Sequence, residues 1–216
     1  MNIKDYREKE LKMYVIGCIL LFISLTQNFM IYDIKLAEIV IKILNTSIIS
    51  SSIYLISFVA DSLFSNQFKE KLVYIFGICK KPGSEVFTSI LKKNNDNRIS
   101  TLKAQNYYKD IYQKMPIEAK QKQNYQNNCW YTIYSNYRNV KMIEISHRDF
   151  LLCRDIYCMN YIMIVFYVFG WLTEVLEFNK YFLFFLGLMI FCTNIACRIK
   201  AKRFVWNVIA YDLSIR

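Results

Sequence analysis

Four stretches of this chain run without a formal charge, and that pattern limits its possible folds more than any other feature. They are Met13–Tyr32, Ile43–Ala60, Ile156–Thr173 and Tyr181–Cys197. The first holds 20 residues. At about 1.5 Å of rise per residue it spans roughly 30 Å, the thickness of a bilayer's hydrocarbon core. Lipid offers no partner to a backbone N–H or C=O, so such runs read as transmembrane α-helices. A cleaved signal peptide does not fit the first run. Asn28, Phe29, Met30, Ile31 and Tyr32 stand where a small-residue cleavage site is needed. The second run is rich in serine, but Ile, Leu and Val dominate the rest of it.

Charge gives these helices a direction. The chain carries 28 Lys+Arg against 17 Asp+Glu, a formal net charge of +11. The excess lies in three places: the N-terminal tail (Lys4, Arg7, Lys9, Lys12), the middle region, and the C-terminal tail (Arg198, Lys200, Lys202, Arg203, Arg216). The two remaining connections, Asp33–Glu38 and the one around Glu174, Glu177 and Lys180, are short and not basic overall. Basic loops stay on the cytoplasmic side. The pattern therefore predicts two hairpins with both termini and the middle region on the cytoplasmic side of the membrane. The organisation that follows is 1–61, tail and first hairpin; 62–155, basic cytoplasmic module; 156–216, second hairpin and tail. The expected fold is an all-α polytopic membrane protein with four transmembrane helices and a small, mainly helical cytoplasmic module.

Within the module, Phe64, Phe68, Leu72, Ile75 and Phe76 recur at helical spacing, which predicts that the second membrane helix continues into the cytoplasm. Pro82-Gly83 predicts a turn, with Ser84 capping a helix over Glu85–Lys93. A helix is expected over Arg98–Lys114, ended by Met115-Pro116, and another opening in Gln121–Asn128. Val140–Ile145 alternates loosely and is compatible with a strand. Ser146 and Asp149 sit where a capping box would start a helix over His147–Tyr157, running into the third apolar segment.

The chemistry legible in this pattern is binding rather than catalysis. The chain holds seven cysteines and one histidine, with no CxxC or Cys/His ligand spacing, so no metal site or disulfide framework is expected. No P-loop, GxSxG or HExxH is present. His147 lies among Arg148, Asp149, Arg154 and Asp155. Ion pairs of a helix beside the membrane account for these charges more simply than an acid–base centre does. No cofactor and no enzymatic activity are expected. Aromatic residues among basic ones point instead to a nucleotide or oligonucleotide, whose bases stack on rings and whose phosphates meet cations. The candidate contacts are Lys103, Tyr108, Lys109, Trp130, Tyr134 and Arg138. The competing reading is that these aromatics pack the core of the module, since helical spacing of rings is the usual mark of a core.

On the second apolar run, Lys42, Thr46, Ser50, Ser57 and Asp61 recur at +4, +4, +7 and +4, one face of a helix. Thr46, Ser50, Ser57 and Asp61 can line a water-filled pore if several copies bring this face together. Close packing of helices through small hydroxyl residues explains the same stripe.

The order hairpin, module, hairpin, with the strings Pro82-Gly83-Ser84-Glu85-Val86-Phe87, Gln126-Asn127-Asn128-Cys129-Trp130-Tyr131 and His147-Arg148-Asp149-Phe150-Leu151-Leu152, resembles small membrane effectors of bacterial anti-phage defence. It is similar in layout to Hailong-type channel effectors and to Kiwa-type membrane sensors. The resemblance implies a homo-oligomer in the bilayer that forms or gates an ion pore under control of a nucleotide or oligonucleotide. The alternatives are a non-conducting sensor or scaffold that docks a soluble partner protein, and a membrane-anchored nuclease or hydrolase. The orientation is directly testable. A reporter active only in the cytoplasm, fused after residue 100, is expected to work; activity there from a reporter that works only in the periplasm overturns the topology.

Overall fold

The computed structural model describes residues 3–26, 64–75, 78–92 and 96–215, with side chains from Tyr6 onward. Among them all regular structure is helical. The α-helices are α1 (Ile3–Thr26), α2 (Asn66–Val73), α3 (Val86–Lys92), α4 (Thr101–Tyr107), α5 (Lys109–Gln113), α6 (Ala119–Tyr137), α7 (Lys141–Leu172) and α8 (Lys180–Ser214), with a 3-10 turn at Pro82–Ser84. Two of them, α7 and α8, are long and apolar enough to cross a membrane. The second apolar run, with Lys42, Thr46, Ser50, Ser57 and Asp61, lies outside the described residues, as does the end of the first run.

Several local expectations are corrected. No strand forms at Val140–Ile145; α7 already begins at Lys141. Ser146 therefore sits inside that helix, where its hydroxyl donates to the Met142 and Ile143 carbonyls (2.9 and 3.0 Å) instead of capping an N-terminus. Asp149 is an ion-pair partner, not a capping acid. The helix expected to run on through Phe64 begins afresh. Ser65 Oγ accepts from the Phe68 N–H (3.2 Å), an N-cap for α2. That helix ends at Val73, and Ile75 takes a positive φ of 47°. Ser84 donates its hydroxyl to the Lys81 carbonyl and does not cap α3. The helix expected over Arg98–Lys114 is two pieces broken at Tyr108, the first capped by Ser100.

The chain divides into two compact units, residues 1–72 with 151–195 and residues 73–150 with 196–216. In the first, Leu11, Val15, Cys18 and Ile19 of α1 form a core with Met159, Ile162, Met163 and Tyr167 of α7 and Phe182 and Leu186 of α8. Buried polar groups join the same helices. Tyr14 donates to Asn160 Oδ1 (2.7 Å), and Asn160, fully buried, donates to the Ile156 carbonyl (3.1 Å) and to Thr193 Oγ1 (3.4 Å). Asn179 starts α8 by accepting from the Tyr181 and Phe182 N–H groups. Buried Asp155 pairs with Arg7, Lys69 and Arg154.

The second unit is built around the end of α8. Ala201, Phe204, Val205, Trp206, Val208, Ile209, Ala210 and Leu213 are all buried. Phe204 takes the edge of Trp130 (5.4 Å), the edge of Tyr134 (5.2 Å) and the stacked ring of His147 (4.8 Å). Gln126 of α6, 1% exposed, accepts from the Thr88 N–H and hydroxyl at the start of α3 (3.0 and 3.2 Å). The 3-10 turn fits under α6 only because residue 83 has no side chain. A Cβ there would lie 2.9 Å from Asn127 Oδ1 and 3.1 Å from the Trp130 ring. That ring is held between Tyr134 and Phe204 and has little room to yield. Gly83→Ala is expected to lower stability by about 1–3 kcal/mol through overpacking, read as an earlier thermal transition in detergent. Gly187→Ala, whose Cβ meets nothing within 4 Å, is the control and should be near neutral. Equal transitions for the two variants would refute the packing account.

Candidate functional site

The residues expected to contact a nucleotide do not form one surface. Lys103 Nζ donates to the Leu213 carbonyl (2.6 Å), and Tyr108 donates to Asp212 Oδ2 (2.6 Å), so both hold the end of α8. Burial, reinforced by the Asp212 carboxylate, pushes the Tyr108 hydroxyl well above the ordinary phenol range. Trp130 and Tyr134 stack on each other (5.6 Å, 6° between planes), and Tyr134 Oη is 3.2 Å from His147 Nδ1. Lys109 is exposed and borders a shallow depression with Leu91 and Tyr112, whose hydroxyl burial raises to about 12. Arg138 is exposed at the end of α6. Most of this aromatic composition is thus core, the competing reading of the sequence.

A different group of cations does converge. The first turns of α7 and residues 200–207 of α8 enclose a groove of ≈ 480 Å³, lined by Lys141, Ile145, Asp149, Lys200, Arg203 and Asn207 among others. This is the size of small-ligand sites. Helical spacing accounts for the lining: Lys141, Ile145 and Asp149 repeat every fourth residue on α7, and Lys200, Arg203 and Asn207 share a face of α8. Lys200 Nζ lies 2.9 Å from Asp149 Oδ2, and Arg148 Nη2 lies 3.2 Å from Oδ1. Partial burial works to raise the Asp149 carboxyl, but hydrogen bonds from Lys200 and Arg148 outweigh it and hold the group below the usual carboxylate range.

Arg203 also lines a second cavity of ≈ 400 Å³, together with Asp96, Arg98, Ile199, Lys202 and Trp206. Two of these residues form a two-point pair, Arg98 Nε to Asp96 Oδ1 (2.9 Å) and Nη2 to Oδ2 (2.6 Å). The Arg98 guanidinium holds Asp96 below its ordinary range. Together the two cavities present five cations against two carboxylates. The carboxylates occupy Lys200 and Arg98. Lys141, Lys202 and Arg203 form no ion pair or hydrogen bond among the described residues. Asn207, 5% exposed, makes no side-chain hydrogen bond there either. The Asn207 side chain lines the cavity rich in positive charge. Such an arrangement attracts and orients an anion; among the described residues no cluster of metal-ligating side chains accompanies it.

Sequence reasoning placed Lys200 and Arg203 in a basic tail. The signal that they belong to a site was the apolar pattern around them, Phe204, Val205, Val208, Ile209 and Leu213, which marks that tail as a core helix. Comparison with protein-family models, with curated proteins and with solved structures gave no match.

The pairing of Asp149 has a pH signature. Its folded pKa is depressed, so its stabilising contribution is complete above the unfolded value of about 3.9 and is lost as pH falls through the folded value. Asp149→Asn should therefore lower the thermal transition at pH 7, and the gap to the unaltered protein should narrow as pH falls below the unfolded value of about 3.9. A gap that persists at low pH would show that the carboxylate's charge is not what matters.

Proposed function

We propose that the chain is a multi-pass protein of the bacterial inner membrane, with four transmembrane helices in two hairpins and both termini in the cytoplasm. It works as a homo-oligomeric effector of anti-phage defence that forms or gates an ion-conducting pore. A phosphate-bearing ligand, a nucleotide or oligonucleotide, controls it from the cytoplasmic module. One observation carries this reading. The basic groove is built on α8, which also holds the more apolar of the two segments able to cross a membrane. A ligand drawn to Lys200, Arg203 and Asn207 therefore acts directly on the helix that holds Tyr181–Cys197. Both segments belong to α8, Lys180–Ser214. Ligand binding then biases that helix by the differential affinity of the ligand for its positions.

The resemblance to channel effectors and the polar stripe Thr46, Ser50, Ser57 and Asp61 support the pore. The alternative, a non-conducting sensor that docks a soluble partner protein, draws on two exposed apolar side chains of the module, Leu102 at 74% and Ile117 at 100%.

Ion flux from liposomes decides between them. The protein is expected to conduct, and cellular nucleotide extract should change the flux. Arg203→Glu should remove the response to extract. Ser50→Leu with Ser57→Leu should block conduction while the oligomer persists in detergent. Liposomes that never pass ions, with or without extract, eliminate the pore reading.

A further inference from the structure

We infer that the groove takes a ligand carrying two anionic groups, one seated in each cavity, with Arg203 held between them. The inference rests on the reading that this groove binds a phosphate-bearing ligand, and it specifies the ligand's chemistry: a bisphosphate.

Three observations lead to it. The first is that Arg203 lines both cavities and is exposed, without an ion pair or hydrogen bond among the described residues. A guanidinium has five N–H donors in a rigid planar fork, so it can serve acceptors on two sides at once. The second is that each cavity has its own lysine without an ion pair or hydrogen bond among the described residues, Lys141 in one and Lys202 in the other. Both also have a more than nine-tenths buried residue with an unused polar group. In the first cavity it is Asn207 and in the second Trp206, 5% and 7% exposed as whole residues, neither side chain hydrogen-bonded among the described residues. The two cavities are thus equipped alike, with Arg203 in common.

The third observation is the charge balance. Asp149 is shared by Lys200 and Arg148, and Asp96 pairs with Arg98. Lys141, Lys202 and Arg203 are left, and a single monoanion compensates only one of them. Two phosphates, each carrying between one and two negative charges near neutral pH, match the three. Tethering the two groups also makes the second contact intramolecular. The gain over a single phosphate follows from the effective concentration, which for short tethers reaches the millimolar range.

The same chemistry comes from two sources, a soluble bisphosphate or the headgroup of a two-phosphate lipid. Arg203 lies five residues beyond Arg198, the first charge after the fourth apolar run, or about 7.5 Å of helix rise. That distance is compatible with either source.

Titration calorimetry on the full chain in detergent tests the inference, with inorganic phosphate, pyrophosphate and propane-1,3-diol bisphosphate as probes. The same protein in nanodiscs of phosphatidylglycerol, with and without diphosphatidylglycerol, is then examined by native mass spectrometry. At least one two-phosphate probe should bind tenfold or more tightly than inorganic phosphate. Lys141→Ala and Lys202→Ala, each confined to one cavity, should each reduce that probe to the affinity of phosphate, and Arg203→Ala should weaken phosphate as well. Both lysines are exposed, so unchanged thermal transitions will verify that the variants fold. Retention of diphosphatidylglycerol that depends on the same three residues, with no soluble probe bound, supports the bisphosphate and assigns it to lipid, which removes the nucleotide as controlling ligand. If the two-phosphate probes bind no better than phosphate, or only one lysine matters, the inference falls while an anion site stands. If no probe and no lipid binds, both the inference and the proposed control by a phosphate-bearing ligand fall.

Discussion

The module depends on the burial of one helix segment, residues 201–213 of α8. A segment that carries Lys202 and Arg203 on one side offers Phe204, Val205, Val208, Ile209 and Leu213 on the others. Short helices pack around it and around α6. The helices α3, α4 and α5 hold 7, 7 and 5 residues, too short to be stable alone, because helix nucleation is costly and each added residue returns little. Their side chains gain stability by removing apolar area from water, at roughly 25 cal/mol per Å². Polar contacts then fix the register: Tyr108 on Asp212, Lys103 on the Leu213 carbonyl, and Thr88 on Gln126. Each answers a buried group that would be expensive to leave unmet.

The unit formed by α1, α2 and parts of α7 and α8 shows a different balance. Its core is apolar throughout, so specificity falls to a few polar positions. Asn160 can meet both Tyr14 and Thr193 in only one rotation of the three helices. In an apolar setting such interhelical bonds contribute modestly, on the order of 0.6 kcal/mol each, yet they select one register among many of similar packing energy. Asp155 acts likewise: Arg7, Lys69 and Arg154 come from three separate segments of the chain and meet at one buried carboxylate. The stability that such a cluster adds is small against its desolvation cost, but removing the carboxylate would leave buried cations uncompensated.

The candidate site shows why composition and packing single out different residues. Aromatic and basic residues do coexist in the module, and the excess of positive charge does gather there. The rings of Tyr108, Trp130 and Tyr134 were needed for the core, because a small helical module has few other large apolar groups. The cations that converge, Lys141, Lys200, Lys202, Arg203 and Arg98, come from three places far apart in sequence. No local spacing rule connects Arg98 or Lys141 with Arg203. Only the packing of Phe204 against Trp130 and His147 brings the start of α7 beside the end of α8.

By itself the sequence determined the helical class, the apolar character of α7 and α8 and the location of the positive charge, because each follows from local periodicity and composition. It also marked the turn at Pro82-Gly83, the break at Met115-Pro116 and the opening of α6. It did not determine where α7 begins: six residues of loose alternation at Val140–Ile145 satisfy a strand and a helix equally, and burial of Ile143 and Phe150 decided for the helix. Nor did it reveal that the basic tail is a core helix, for Lys and Arg dominate its average while its apolar positions matter only once other helices cover them. The groove around Arg203 was decided by tertiary structure alone. A binding site of this kind is a property of the distance between side chains on different helices, and that distance is set by packing rather than by neighbours in the chain.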